Sequence, residues 1–290
     1  MRARPPRPYG LVPALVFLTA ALVWADAPTK GGPKSVVISN GTVALHALLF
    51  SPPGSGPFPA ILFNHGSGRT PEELKRLGPY EGNAEKLGKL FARHGYIFLY
   101  PFRRGVGPST DQGLSAAELM NRQSVAHGQE ARNALQLELL EGREMTDVIA
   151  ALSFLRALPE VSAHNVSAIG HSFGGSLTIL MAEREPELRA IVLFSPAGYS
   201  FDRSPELRQR LFAALPRIAA PAFFIHAEND YSLSSGRALD LRLEQLGKAH
   251  RLKIYPPIGQ TLDDGHDLLD LGISTWELDV FSFLDKHTRK

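Results

Sequence analysis

Gly170-His171-Ser172-Phe173-Gly174, with Gly175 behind it, is the stretch on which the reading of this chain turns. Apolar or small residues (Val166, Ser167, Ala168, Ile169) lead into it, and a helical run with Leu177, Ile179, Leu180 and Met181 starts at once behind it. Strand, Gly-x-Ser-x-Gly, helix is the pattern of a nucleophile elbow. There a tight, strained turn lifts a serine hydroxyl out of a sheet, and only small neighbours let the backbones pass so closely. Taken alone the string is modest evidence, since roughly one chain in ten of this length holds it by accident at ordinary Gly and Ser frequencies. Its weight depends on whether the rest of the chain supplies partners for Ser172.

Working outward, the flanking sequence alternates strand and helix. Residues 35–39 and 42–50 alternate in polarity around Asn40-Gly41, a strong hairpin signal. Residues 60–63 (Ala, Ile, Leu, Phe) form a buried-type strand ending at Asn64-His65-Gly66-Ser67-Gly68. A helix is expected over 83–93, a strand over 96–100, and a long helical stretch over 113–157 with Met145, Val148, Ile149, Leu152 and Leu155 at amphipathic spacing. Beyond the elbow, strands are expected at 190–194, 222–225 and 252–255, with helices at 207–215, 238–246 and 275–284. A hairpin followed by repeated strand–helix units implies an α/β fold, with a mostly parallel central sheet and helices on both faces. No repeat or linker divides residues 26–290, which read as one domain. Residues 110–140 are an over-long connection and the candidate for a cap over the site.

The N-terminus reads separately. Arg2, Arg4 and Arg7 precede a 15-residue apolar run from Leu11 to Ala25, and Val23-Trp24-Ala25 offers a cleavage site before Asp26. That is the plan of a secretory signal peptide, residues 1–25, and the run is short for a membrane span. Export to the periplasm or medium is therefore expected, with no stable membrane anchor after cleavage. Without the leader the chain holds 28 basic and 29 acidic residues, so its charge gives no reason to expect a nucleic-acid partner. The whole sequence, 44% apolar and 21% charged, is ordinary for a soluble globule. There is no cysteine, which excludes disulfides, cysteine-ligated zinc and a thiol nucleophile. Composition leaves the oligomeric state open.

A serine hydroxyl needs a base within hydrogen-bond reach and an acid to orient that base. Such groups sit at the carboxyl ends of strands in open α/β sheets. The strand at 222–225 runs into His226-Ala227-Glu228-Asn229-Asp230, where Asp230 is the expected acid, Glu228 its neighbour in competition and Asp264 a distant third. After the last strand, a ten-residue loop leads to Gly265-His266-Asp267, and His266 is the expected base. Position alone does not separate His127 and His164 from that role. The chain order Ser172, Asp230, His266 suits the architecture. For the oxyanion, the expected backbone donors are Phe173, just after the nucleophile, and Ser67 in the Gly-rich loop, with Gly66 or Gly68 as alternatives. The same loop lacks the ending of a P-loop and the spacing of a dinucleotide fingerprint. No His-x-x-x-His pair suggests a metal.

Gly-His-Ser-Phe-Gly-Gly, the Asn-His-Gly-Ser-Gly loop, Arg-Arg-Gly-Val-Gly-Pro-Ser at 103–109, the Ala-Glu-Asn-Asp strand end and the late Gly-His together resemble the α/β-hydrolase superfamily. Within it they look most like the dienelactone-hydrolase-related branch, over roughly residues 35–288. The resemblance implies a serine hydrolase acting on small-molecule carboxylic esters, with no cofactor and no metal, and the leader adds the expectation that it is exported. Dienelactone hydrolases proper use a cysteine nucleophile, whereas Ser172 holds that position here; Ala227 stands where a Gly is usual. A peptidase or amidase on the same residues, and a non-catalytic binding protein that keeps the fold, are the competing readings.

Overall fold

A computed structural model describes residues 32–289. The expected leader, residues 1–25, lies outside them. The strands are β1 (Lys34–Asn40), β2 (Val43–Phe50), β3 (Phe58–Asn64), β4 (Ile97–Pro101), β5 (Val161–His171), β6 (Ile191–Phe194), β7 (Ala222–Ala227) and β8 (His250–Tyr255). They form one sheet in the order β1-β2-β4-β3-β5-β6-β7-β8. β1–β2 and β2–β4 are antiparallel and every later pair is parallel. In the hairpin Asn40 pairs with Val43, so the turn is Gly41-Thr42, one residue later than Asn40-Gly41; Gly41 takes the positive φ of 63°.

The helices are α1 (Pro71–Leu77), α2 (Tyr80–Arg93), α3 (Ala116–Glu141), α4 (Arg143–Arg156), α5 (Phe173–Arg184), α6 (Ser200–Arg203), α7 (Pro205–Ala214), α8 (Ser234–Gln245), α9 (Leu262–His266), α10 (Leu268–Leu271) and α11 (Ile273–Thr288). The parallel strands inside the half-buried edge strand β8 are buried on both faces, and successive side chains divide between two cores. Ala60, Leu62, Ile97, Leu99, Ile191 and Leu193 pack under α4, α5, α7 and α8. Ile61, Phe63, Phe98, Tyr100, Val192 and Phe194 pack under α2 and α11. Each large apolar side chain so buried contributes about 1.5–3 kcal/mol relative to exposure.

Two expectations need correction. The stretch 113–157 is two helices, α3 and α4, parted at Gly142 (φ −109°, ψ −104°), and α3 is itself interrupted at Gly128, whose φ is 83°. Amphipathic periodicity does not register a one-residue break. His266 is at the end of a short helix, α9, instead of on a loop. Thr261 and Asp264 form a reciprocal capping box that starts this helix, which spends Asp264 on backbone amides and removes it as a candidate acid.

Candidate active site

β5 delivers Ser172 to the carboxyl edge of the sheet, and α5 leaves immediately. Ser172 holds φ 55° and ψ −118°, a strained conformation for a side-chain-bearing residue that costs on the order of 1–3 kcal/mol. The surroundings over-determine it. Its N–H donates to Phe194 O at 2.9 Å, and its carbonyl accepts from Gly175 N at 2.9 Å and Ala197 N at 3.0 Å. The flanking glycines are a matter of space. A Cβ on Gly170 would lie 2.3 Å from Gly174 O, and one on Gly174 would lie 2.0 Å from Asn64 O.

The structure brings Ser172, His266 and Asp230 together. His266 Nε2 is 2.9 Å from Ser172 Oγ, and His266 Nδ1 is 2.7 Å from Asp230 Oδ1. A carboxylate only accepts, so the ring hydrogen is on Nδ1 and the Nε2 lone pair faces the serine hydroxyl. Asp230 has two further donors: Tyr231 N–H to Oδ1 at 2.7 Å, and His226 Nδ1 to Oδ2 at 2.6 Å. Burial opposes the charge on Asp230, but the hydrogen bonds from His226 and His266 outweigh it and hold the carboxyl well below the usual range. Glu228 is exposed, and His127 and His164 are exposed and remote from Ser172. Tyr231 stacks on the His266 ring at 4.3 Å, and His171 Nε2 donates to His266 O at 2.9 Å.

The residues expected to supply the oxyanion donors, Phe173 and Ser67, both line the cavity over Ser172. The amides of Phe173 and Ser67 donate to no protein acceptor among the described residues. Gly66 lies against the nucleophile: a Cβ on it would be 3.9 Å from Ser172 Cβ. What fixes this loop is Arg103, at the end of β4. Its Nη2 donates to His65 O at 2.8 Å and Gly66 O at 2.7 Å, and its Nε donates to Glu144 Oε2 at 2.7 Å. Arg103 and Glu144 side chains are each 1% exposed, and Glu144 takes a second arginine, Arg143, at 2.6 Å. In a trans peptide the C=O and N–H point opposite ways, so holding Gly66 O turns the Ser67 N–H to the side away from Arg103. His65 completes the brace: its Nε2 accepts from Arg103 N at 3.0 Å and its Nδ1 donates to Gly66 O at 2.7 Å. Burial, with Arg103 second, keeps the His65 pKa well down.

The cavity over Ser172 measures about 180 Å³. α3 contributes Met120, Arg132 and Gln136 to its wall, the loop after β6 contributes Ala197, Gly198 and Tyr199, and the opposite side is lined by Tyr80, Tyr100 and Asp270. The sequence alone does not single out Arg103, His226, Tyr80 or Tyr100. Arg103 and His226 stood in quoted motifs without a role; only their position at strand ends marked them.

A family model for the dienelactone hydrolase family matches residues 46–260, a span that contains Ser172 and Asp230 and stops short of His266. The chain belongs to the dienelactone hydrolase family. It has the α/β-hydrolase fold. Esterase EstD of Thermotoga maritima is 28% identical over 190 residues, covering 65% of this chain and 39% of that protein. The dienelactone hydrolase of Anabaena variabilis superposes with a TM-score of 0.57 at 20% identity, covering 87% of this family member and 99% of that chain. An acylaminoacyl peptidase of Pyrococcus horikoshii gives a TM-score of 0.62 at 16% identity, covering 91% of this chain and 43% of the other. This family member thus spans about two-fifths of the length of EstD and of that peptidase. At these identities the solved structures share the fold alone.

Proposed function

We propose that this chain is an exported serine hydrolase that cleaves carboxylic esters through Ser172, His266 and Asp230. The observation that carries the reading is the hydrogen-bonded line from Ser172 Oγ through His266 to Asp230, at 2.9 and 2.7 Å. In the reaction Ser172 Oγ bonds to the ester carbonyl carbon while its proton passes to His266 Nε2. The Phe173 and Ser67 amides take the oxyanion, each such donor lowering the barrier by about 3 kcal/mol. Collapse of the tetrahedral adduct breaks the carbon–oxygen bond to the alcohol, which leaves with the His266 proton. Water then adds to the acyl-enzyme by the same route and frees the acid. Asp230 keeps His266 in the required tautomer throughout. Residues 110–140, largely α3, serve as the cap.

A fluorophosphonate probe tests the nucleophile: wild-type protein should be labelled, and labelling that survives Ser172→Ala would sink the assignment. Paired ester and amide substrates of one acyl group test the reaction class. Amide turnover at rates near the ester would replace this reading with a peptidase, and no labelling at all would leave a binding protein. N-terminal sequencing of protein recovered from the periplasm or medium tests export; a chain still starting at Met1 would count against it.

A further inference from the structure

The cavity has two sides that differ in character. Over the face that carries α3, Met120 and Phe173 belong to one core; over the other face the wall is built from Phe63, Tyr80, Tyr100 and Leu269, which belong to the second core. On this second side the Tyr80 and Tyr100 rings flank the His65 imidazole, at 5.5 and 6.0 Å between centroids. His65 directly precedes Gly66, the residue packed against Ser172. The two tyrosines are 7% and 2% exposed, yet neither hydroxyl has a hydrogen-bond partner among the described residues. Both residues line the cavity, and neither hydroxyl is among the fully enclosed unpartnered atoms, as Asp270 Oδ1 is.

Buried polar groups are matched by partners, so two open hydroxyls in an otherwise packed wall point to a bound group that supplies them. Burial pushes the pKa of both phenols up, which keeps each a donor as well as an acceptor. The cation nearest the Tyr80 ring is already paired. Arg69 Nη2 pairs with Asp270 Oδ2 at 2.9 Å, and the Arg69 guanidinium lies over the Tyr80 ring at 4.7 Å. A neutral group that both donates and accepts fits this chamber; a second carboxylate would meet Asp270, and an alkyl chain would leave both phenols unpaired.

We propose that this chamber is a polar subsite selecting esters that carry a neutral hydroxyl substituent near the ester group. The proposal rests on the serine-esterase reading and specifies its substrate class. The test uses isosteric pairs on the full-length protein in a pH-stat assay. Methyl 3-hydroxypropanoate against methyl butyrate probes the acyl half, and 2-hydroxyethyl acetate against propyl acetate probes the alcohol half. In one of the two pairs, kcat/KM should favour the hydroxylated ester by about tenfold or more, as for a site whose buried polar groups are otherwise left unpaired. Tyr80→Phe and Tyr100→Phe, which delete only the hydroxyls, should each shrink that ratio severalfold, and the double variant should abolish it. Equal kcat/KM within both pairs, or a preference that persists in the double variant, overturns the subsite while leaving the esterase intact. Failure to turn over any of the four esters, with no fluorophosphonate labelling, would overturn the esterase reading and this proposal with it.

Discussion

Replacing Arg103 by Met separates positioning of the oxyanion loop from holding the fold together. The substitution keeps most of the aliphatic volume and deletes three hydrogen bonds, one to Glu144 and two to the carbonyls of His65 and Gly66. Breaking a buried ion pair costs about 3–5 kcal/mol. Here the low end applies, because Arg143 still reaches Glu144. At about 2–4 °C per kcal/mol for a chain of this size, Tm should fall by roughly 10 °C. The catalytic effect has a different origin. With its carbonyl released, the Gly66–Ser67 peptide is free to rotate, and loss of one oxyanion donor costs about 10²–10³ in kcat. A tilted donor should cost near the lower figure, with KM little changed, since the interaction is made in the transition state. The decisive comparison is with Arg103→Met/Glu144→Gln. Neutralising the half-paired Glu144 carboxylate should restore part of the Tm but none of the kcat. Assays of a simple ester at active-site concentrations titrated with a fluorophosphonate, alongside calorimetry, give both quantities. If kcat recovers together with Tm in the double variant, or if folded Arg103→Met keeps kcat within threefold, Arg103 is a structural residue and the reasoning fails.

Three further outcomes are expected. His226 donates to the outer oxygen of Asp230, so His226→Leu should lower kcat by about tenfold at constant KM, and His226→Asn, which keeps a donor near the Nδ1 position, should restore most of it; equal effects of Leu and Asn would refute a positioning role. Gly174→Ala would set a Cβ 2.0 Å from the Asn64 carbonyl, a backbone atom with no room to retreat, so a loss above about 4 kcal/mol or no soluble protein is expected, and a Tm within a few degrees of wild type would contradict the elbow geometry. The pKa of both His65 and His171 is held below the ordinary 6.5, by burial first and then by Arg103 and His266 respectively, so the unfolded chain binds protons there that the folded one does not. Stability should therefore fall as pH drops below about 6.5, by at most about 1.4 kcal/mol per pH unit for each histidine, and His171→Gln should flatten the slope measured by urea unfolding between pH 7 and 5.

What was legible in the sequence is what local physics alone determines. The elbow glycines announce a close backbone approach, because no other residue fits at Gly170 or Gly174. Strand ends announce where side chains gather, and that rule nominates Ser172, Asp230 and His266 among 290 residues. The element boundaries slipped where one residue decides them, as at Gly142 and at the Thr261–Asp264 cap. The supporting groups were illegible for a different reason. Arg103 and Glu144 are 41 residues apart, and His65 is 38 from Arg103; their union depends on β3 and β4 being neighbours in a sheet whose strand order is not the chain order. Tyr100 sits in a strand where every residue is buried, so its pattern is that of an ordinary core aromatic. Only the placement of the α2 start across from β4, on the side of the sheet that receives Tyr80, puts it in the wall of the cavity over Ser172. A residue's type and spacing can therefore nominate the atoms that react, because chemistry restricts those to few types. The atoms that hold or select are ordinary core residues, and what distinguishes them is an unmet hydrogen bond that exists only once the chain has folded.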